Sequence, residues 1–146
     1  MNVLPVLYIL ARTDMDSMNP GKLAAQCSHA SNYFIHGVDE YMDKTYSDSE
    51  DRIDFMVGID IWKNSTPQGF GTVLVLGVNY NQMTTACNVA DKIGYYSGVV
   101  LDPTYPIRDG EVTHFLPVET CGFIFCADKK TDTVLPNIIG NFPLHP

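Results

Sequence analysis

The sequence predicts an α/β fold: a single domain over residues 1–146, with a four-stranded, mostly parallel or mixed sheet and helices on both faces. Three observations carry this. Short apolar runs rich in β-branched residues recur along the chain, each bounded by turn residues, as strands buried on both faces require. Segments with apolar residues at helical spacing alternate with them, the pattern of a layered α/β domain. The chain has 146 residues, of which 45% are hydrophobic and 11% aromatic. That is enough to fill one core and too little for two.

The elements follow in order. Val3 to Ala11 is a continuous apolar run and reads as the first core strand, closed by Arg12, Thr13 and Asp14. Pro20 suits the first position of a helix and Asn19 its cap, so a helix is expected from there to about Gly37. At about 100° per residue, Leu23, Cys27, Ala30 and Phe34 cluster on its core face, while Lys22, Gln26, His29 and Tyr33 form a second stripe. Ile59, Ile61 and Trp62 return the chain to the core, and Asn64 to Gly71 is turn chemistry. Gly71 to Val78 reads as a second strand. Asn81 to Ile93 reads as a short helix closed by Gly94, and Ser97 to Leu101 as a third strand ending at Asp102. The proline-containing stretch 103–119 is expected as an extended irregular loop with room for a short hairpin. Gly122 to Ala127 is the fourth strand, and the tail is one helical turn followed by a wrap along the surface.

The charge balance is 9 basic against 17 acidic residues, a net −8. Such a chain has no general electrostatic reason to gather on nucleic acid or anionic lipid. Residues 38–60 hold eight of the acidic residues and only Lys44 and Arg52 as bases. This window is either a solvated helix continuation plus loop or an acidic contact surface. Cys27, Cys87, Cys121 and Cys126 include no pair at metal-ligand spacing. Cys121 and Cys126 lie five apart, so a strand points them to opposite faces. No apolar run reaches membrane-spanning length, and the first residues lack the basic start and cleavage site of a signal peptide. A cytoplasmic protein with reduced thiols, no metal and no membrane partner is therefore expected.

In open α/β sheets, ligands gather beyond strand C-termini and at helix N-termini. That rule brings Arg12, Asp14 and Lys22 together after the first strand and sets Asp102 at the end of the third. The placement of Thr120 depends on the direction of the fourth strand. Plain structural alternatives stay open: Asp102 before Pro103 is also a natural turn residue, and His29 a partly buried, hydrogen-bonded histidine.

The run Arg12-Thr13-Asp14-Met15, followed by Met18-Asn19-Pro20-Gly21-Lys22-Leu23-Ala24-Ala25-Gln26-Cys27-Ser28-His29-Ala30, resembles the signature of the type 2 peptidyl-tRNA hydrolases of archaea and eukaryotes. The likeness extends more weakly to the strand at 71–79, to Lys92-Ile93-Gly94, to Val99-Val100-Leu101-Asp102 and to Thr120. It implies a small α/β hydrolase that cleaves the ester between a peptide and the 3′ end of tRNA without metal or cofactor. By position it singles out Lys22, Gln26, His29, Asp102 and Thr120. Ester hydrolysis needs a base or oriented water, a donor for the developing oxyanion and groups that hold phosphate and ribose. Lys22, His29, Asp102 and Thr120 are assigned to catalysis on this basis, and Arg12, Asp14, Gln26, Tyr33, Thr104 and Tyr105 to ligand binding.

The departures matter as well. Where the family continues Ala-Gly-Arg-Thr after the aspartate, this chain has Pro103-Thr104-Tyr105-Pro106. The loop at 103–119 is extended, and about 38–70 reads as an acidic insertion. The alternative from another class is a protein that binds or cleaves a small nucleotide in the same pocket, such as a cyclic nucleotide immune signal, with Tyr33, Tyr105 and Phe115 free to stack on bases. A third possibility is a degenerate fold serving only as an interaction module. A homodimer is expected by analogy with the family.

Overall fold

The computed structural model describes residues 3–46 and 50–146. Its elements are β1 (Val6–Arg12), α1 (Pro20–Thr45), α2 (Glu50–Lys63), β2 (Thr72–Val78), α3 (Tyr80–Lys92), β3 (Ser97–Asp109), β4 (Val112–Cys126) and α4 (Leu135–Ile139). The strands form one open sheet in the order β2-β1-β4-β3. The β1–β2 pair is parallel, with α1 and α2 in the crossover, and β4 runs antiparallel to both β1 and β3. The expected mixed sheet is therefore present. Each face has its own apolar cluster. One joins Leu7, Ile9 and Ala11 of β1 to Ala30 and Phe34 of α1 and Trp62 of α2. The other joins Tyr8 and Leu10 to Met83 and Ala86 of α3 and Leu135 of α4. Cys121 belongs to the first cluster and Cys126 to the second, as strand alternation requires.

The expected start of α1 holds. Pro20 is its first residue, and the Asn19 side chain accepts from the Lys22 amide at 2.9 Å. Its expected end does not, because the helix runs on through Gly37 to Thr45. A side chain at Gly37 would collide with the Tyr96 hydroxyl, which donates to the Phe34 carbonyl at 2.6 Å. Glycine here makes room for a neighbour and ends nothing. The core face also differs from expectation. Gln26, Ala30, Phe34, Val38 and Met42 are the buried positions, whereas Leu23 and Cys27 are only partly buried.

Within the described residues the acidic window forms the last turns of α1 and a separate helix, α2, whose buried Phe55, Gly58, Ile59 and Trp62 repeat at helical spacing; Asp48 lies outside the described residues. The Trp62 indole donates to the Thr72 carbonyl at 2.9 Å and ties α2 to the start of β2. The stretch expected as an irregular loop is instead the distal half of a long β3–β4 ribbon. It reverses through Gly110-Glu111 with Gly110 at φ +61, the conformation that two-residue hairpin turns require. Pro103 and Pro106 are tolerated because β3 is an edge strand. In the tail, the Pro143 carbonyl accepts from the Gly77 amide and the His145 amide donates to the Val75 carbonyl. The chain end thus lies along the outer edge of β2.

Phe34 is fully buried and touches the rings of Trp62, Tyr96, Phe123 and Phe125 at centroid separations of 5.2–5.9 Å. Phe34→Ala is expected to cost about 3–5 kcal/mol in urea unfolding followed by circular dichroism.

Candidate active site

Two irregularities in the β3–β4 ladder build the site. Val100 pairs with Cys121 but Leu101 pairs with Glu119, leaving Thr120 as an extra residue in β4. Without this bulge Thr120 would share a face with Gly122, Ile124 and Cys126, on the α3 side. The bulge turns it towards α1, a known effect of an inserted residue. The second irregularity lies between Asp102, paired with Val118, and Tyr105, paired with Leu116. There Pro103 and Thr104 oppose Pro117 alone, and the Thr104 amide turns back to donate to Asp102 Oδ1 at 2.9 Å.

Between these bulges, α1 contributes Gln26. The side chain is almost wholly buried. Its Nε2 donates to Asp102 Oδ2 at 2.8 Å, and its Oε1 accepts from the Thr120 hydroxyl at 2.6 Å. One amide therefore joins three elements. Burial pushes the Asp102 carboxyl up, but the Gln26 bond, the Thr104 amide and the nearby His29 outweigh it and hold the group below its ordinary value. Asp102 is accordingly an anion at neutral pH, and only 7% exposed. His29 lies one turn beyond Gln26 on the open side, with Nε2 3.9 Å from Asp102 Oδ2 and half its side chain exposed. The Cys121 thiol donates to the Gln26 backbone carbonyl at 3.3 Å. Burial pushes that thiol up to about 12, so it supplies no thiolate nucleophile here.

The other expected residues fall into two groups. Lys22 is at the rim: its Nζ donates to the Pro106 carbonyl at 2.7 Å and sits 5.2 Å from the centre of the Tyr105 ring. Tyr33 is half exposed, with its ring edge against Phe123. Thr104 is exposed beside Asp102, its hydroxyl 3.4 Å from Oδ1. Three residues depart from expectation. Tyr105 is fully buried, its hydroxyl 3.0 Å from that of Ser17 and bonded to Met18 Sδ. It pins the ribbon to the loop before α1 and has no free face for a base. Arg12 and Asp14 form an ion pair at 2.8 Å. Arg12 also donates to the Glu119 carbonyl and lies over the Tyr80 ring, and Asp14 accepts from the Tyr80 amide. This pair is a latch between β1, β4 and the start of α3.

Tyr80 and Glu119, joined hydroxyl to carboxylate at 2.7 Å, complete that latch and were not singled out by sequence. The one available signal was the capping box Asn79-x-x-Gln82, which fixes Tyr80 as the first residue of α3.

Residues 5–114 match the peptidyl-tRNA hydrolase PTH2 family. The chain belongs to that family. Its members are hydrolases, and this chain is a hydrolase by that membership. Among curated proteins no sequence matches it. The family match includes Lys22, Gln26, His29 and Asp102 but ends within β4, so Thr120 enters the site on geometry, through its bond to Gln26. No helix among the described residues is long and apolar enough to cross a membrane.

Gln26→Leu removes one of the bonds that hold the Asp102 carboxyl low. Because that value is depressed in the folded protein, Asp102 contributes stability above the unfolded value of about 3.9, lost as pH falls through the folded one. The variant's carboxyl value, read by carbon NMR, should be higher than the wild type's. Its acid-unfolding midpoint should move to higher pH by the same logic.

Proposed function

We propose that the chain hydrolyses the ester between a peptide and the 3′ end of tRNA, with His29 activating the water and Asp102 stabilising the imidazolium that results. The observation that carries this reading is the buried, ionised Asp102 facing the half-exposed imidazole of His29. A histidine that takes a proton from water gains a charge, and a fixed carboxylate beside it lowers the cost of that charge. The separation of 3.9 Å is longer than a hydrogen bond, as is common before substrate closes a site.

The roles of the remaining residues follow from exposure. Gln26 and Thr120 are too buried to touch substrate. They act as positioning residues, aiming Asp102 and keeping it ionised. Lys22, held at the rim by the ribbon, offers a cation to a phosphate or to the oxyanion of the tetrahedral intermediate. The half-exposed Tyr33 and the Thr104 hydroxyl stand where a terminal ribose and base would enter.

A net charge of −8 is compatible with a polyanionic substrate because the charge is segregated. Asp39, Glu40 and Asp43 stand at least 17 residues beyond Lys22 on the same helix, about 25 Å along its axis. That is about three screening lengths at physiological ionic strength. The acidic end of α1 therefore does little to repel a tRNA end that reaches only the first turns of the helix.

Purified protein incubated with N-acetyl-aminoacyl-tRNA should release the blocked amino acid. His29→Ala and Asp102→Asn, if folded as wild type by circular dichroism, should each lower kcat by about 10²–10⁴. Full turnover in both variants would sink the assignment.

A further inference from the structure

The face of the sheet opposite Asp102 is not closed. A cavity of about 440 Å³ lies between β1, β2, α4 and the chain end, walled by Leu74, Leu76, Leu135, Ile139 and Phe142 and bordered by Tyr8, Lys129 and Asp132. None of the residues Gln26, His29, Asp102 or Thr120 lines it. Its volume is that of a small-molecule site. Much of the wall, including α4 and Phe142, lies beyond residues 5–114 that match the hydrolase family.

The polar groups at this cavity are not equally committed. Asp132 is saturated: Oδ1 accepts from the Tyr95 hydroxyl and the amides of Val134 and Leu135, and Oδ2 accepts from Tyr95 and the Cys126 thiol. Tyr8 is 7% exposed; its hydroxyl bonds to no described residue and keeps access to solvent at the cavity. Lys129 Nζ stands 6.0 Å from the centre of the Tyr8 ring and has no carboxylate at ion-pair distance among the described residues. A hydroxyl that faces the cavity without a protein partner is free to donate to a ligand that displaces its water.

What is left open is two donors, one of them cationic, at the border of an apolar chamber. The complementary ligand has an acceptor group of single negative charge on an apolar body. We infer that this cavity binds a small apolar monocarboxylate, with its carboxylate on the Tyr8 hydroxyl and Lys129 Nζ and its hydrocarbon against Leu74, Leu76, Leu135 and Ile139. One cation suits a monoanion better than a phosphate monoester, whose second charge would face the Asp132 carboxylate unpaired. The inference is independent of the hydrolytic reading, since it uses the other face of the sheet.

The probe is octanoate, titrated calorimetrically into the whole protein, with octylamine as the charge-reversed control. Saturable binding of octanoate is expected, with no binding of octylamine. Lys129→Ala and Tyr8→Phe should each weaken octanoate at least tenfold, the loss of one charge-assisted or buried hydrogen bond, while ester hydrolysis stays at the wild-type rate. Tyr8→Phe removes only the hydroxyl and keeps the packing, so its folded state serves as the reference if Lys129→Ala is less stable. Absence of saturable octanoate binding, equal binding of octylamine, or wild-type affinity in either variant would overturn the inference.

Discussion

The bond pattern of one side chain, Gln26, governs the site. A primary amide is a donor at one end and an acceptor at the other, and Gln26 uses both: the donor faces the Asp102 carboxylate and the acceptor faces the Thr120 hydroxyl. No other residue of this length satisfies both. Glutamate would set a second carboxylate against Asp102, lysine has nothing to accept with, and leucine would take one donor from Asp102 and leave the buried Thr120 hydroxyl without its acceptor, at about 1–3 kcal/mol for that group. The polarity then propagates. Thr120 must donate, Asp102 must accept, and an accepting carboxylate with two further donors from Thr104 stays ionised. His29 consequently stands beside a fixed negative charge rather than a neutral acid.

That amide meets its partners only because the β3–β4 ladder is broken in two places. Regular pairing would carry Thr120 to the α3 face and leave the Thr104 amide in the ladder. The bulges convert a strand edge into a cradle for one carboxylate, and the distal ribbon holds the cradle in position. Tyr105 ties it to Ser17 and Met18, and Lys22 ties it to the first turn of α1. On the other face, the Arg12–Asp14–Tyr80–Glu119 latch fastens the same stretch of β4 to β1 and α3. The site is thus clamped from both sides of the sheet.

This explains what could be read from sequence and what could not. Apolar runs and caps depend on local chemistry, so β1, β2, the start of α1 and the extent of α3 were legible, and with them the mixed α/β architecture. The residues of the Gly-Lys-x-Ala-Ala-Gln-x-x-His stretch were legible through family likeness. Bulges are different: strand alternation assumes an unbroken register, and nothing local to Thr120 announces an extra residue. Gln26 falls in the second stripe with Lys22 and His29 when the helix is divided by apolar residues, although its spacing to Ala30 and Phe34 puts it in the buried row. Prolines at 103, 106 and 117 suggested irregular chain, whereas an edge strand and a bulge accommodate all three without interrupting the ribbon. At Thr120 and along 103–117 the pairing of distant strands overrides the local signal, whereas the buried place of Gln26 follows from helical spacing alone.

The two faces of the sheet also divide the polar chemistry differently. On the α1 face every buried polar group near Asp102 has a partner within the protein, and the open valences belong to Lys22, His29 and Thr104 at the rim. That is the distribution expected of a site that must hold its charged group ready before substrate arrives, since preorganised partners need no rearrangement when charge develops. On the α4 face the reverse holds: the carboxylate of Asp132 is consumed, while the Tyr8 hydroxyl and the exposed Lys129 cation beside it are left to solvent or a ligand. Donors left to water at the mouth of an apolar chamber cost the folded chain little. They gain most when an acceptor carried on an apolar body fills the chamber, because the same bonds are then made away from water, where they are stronger.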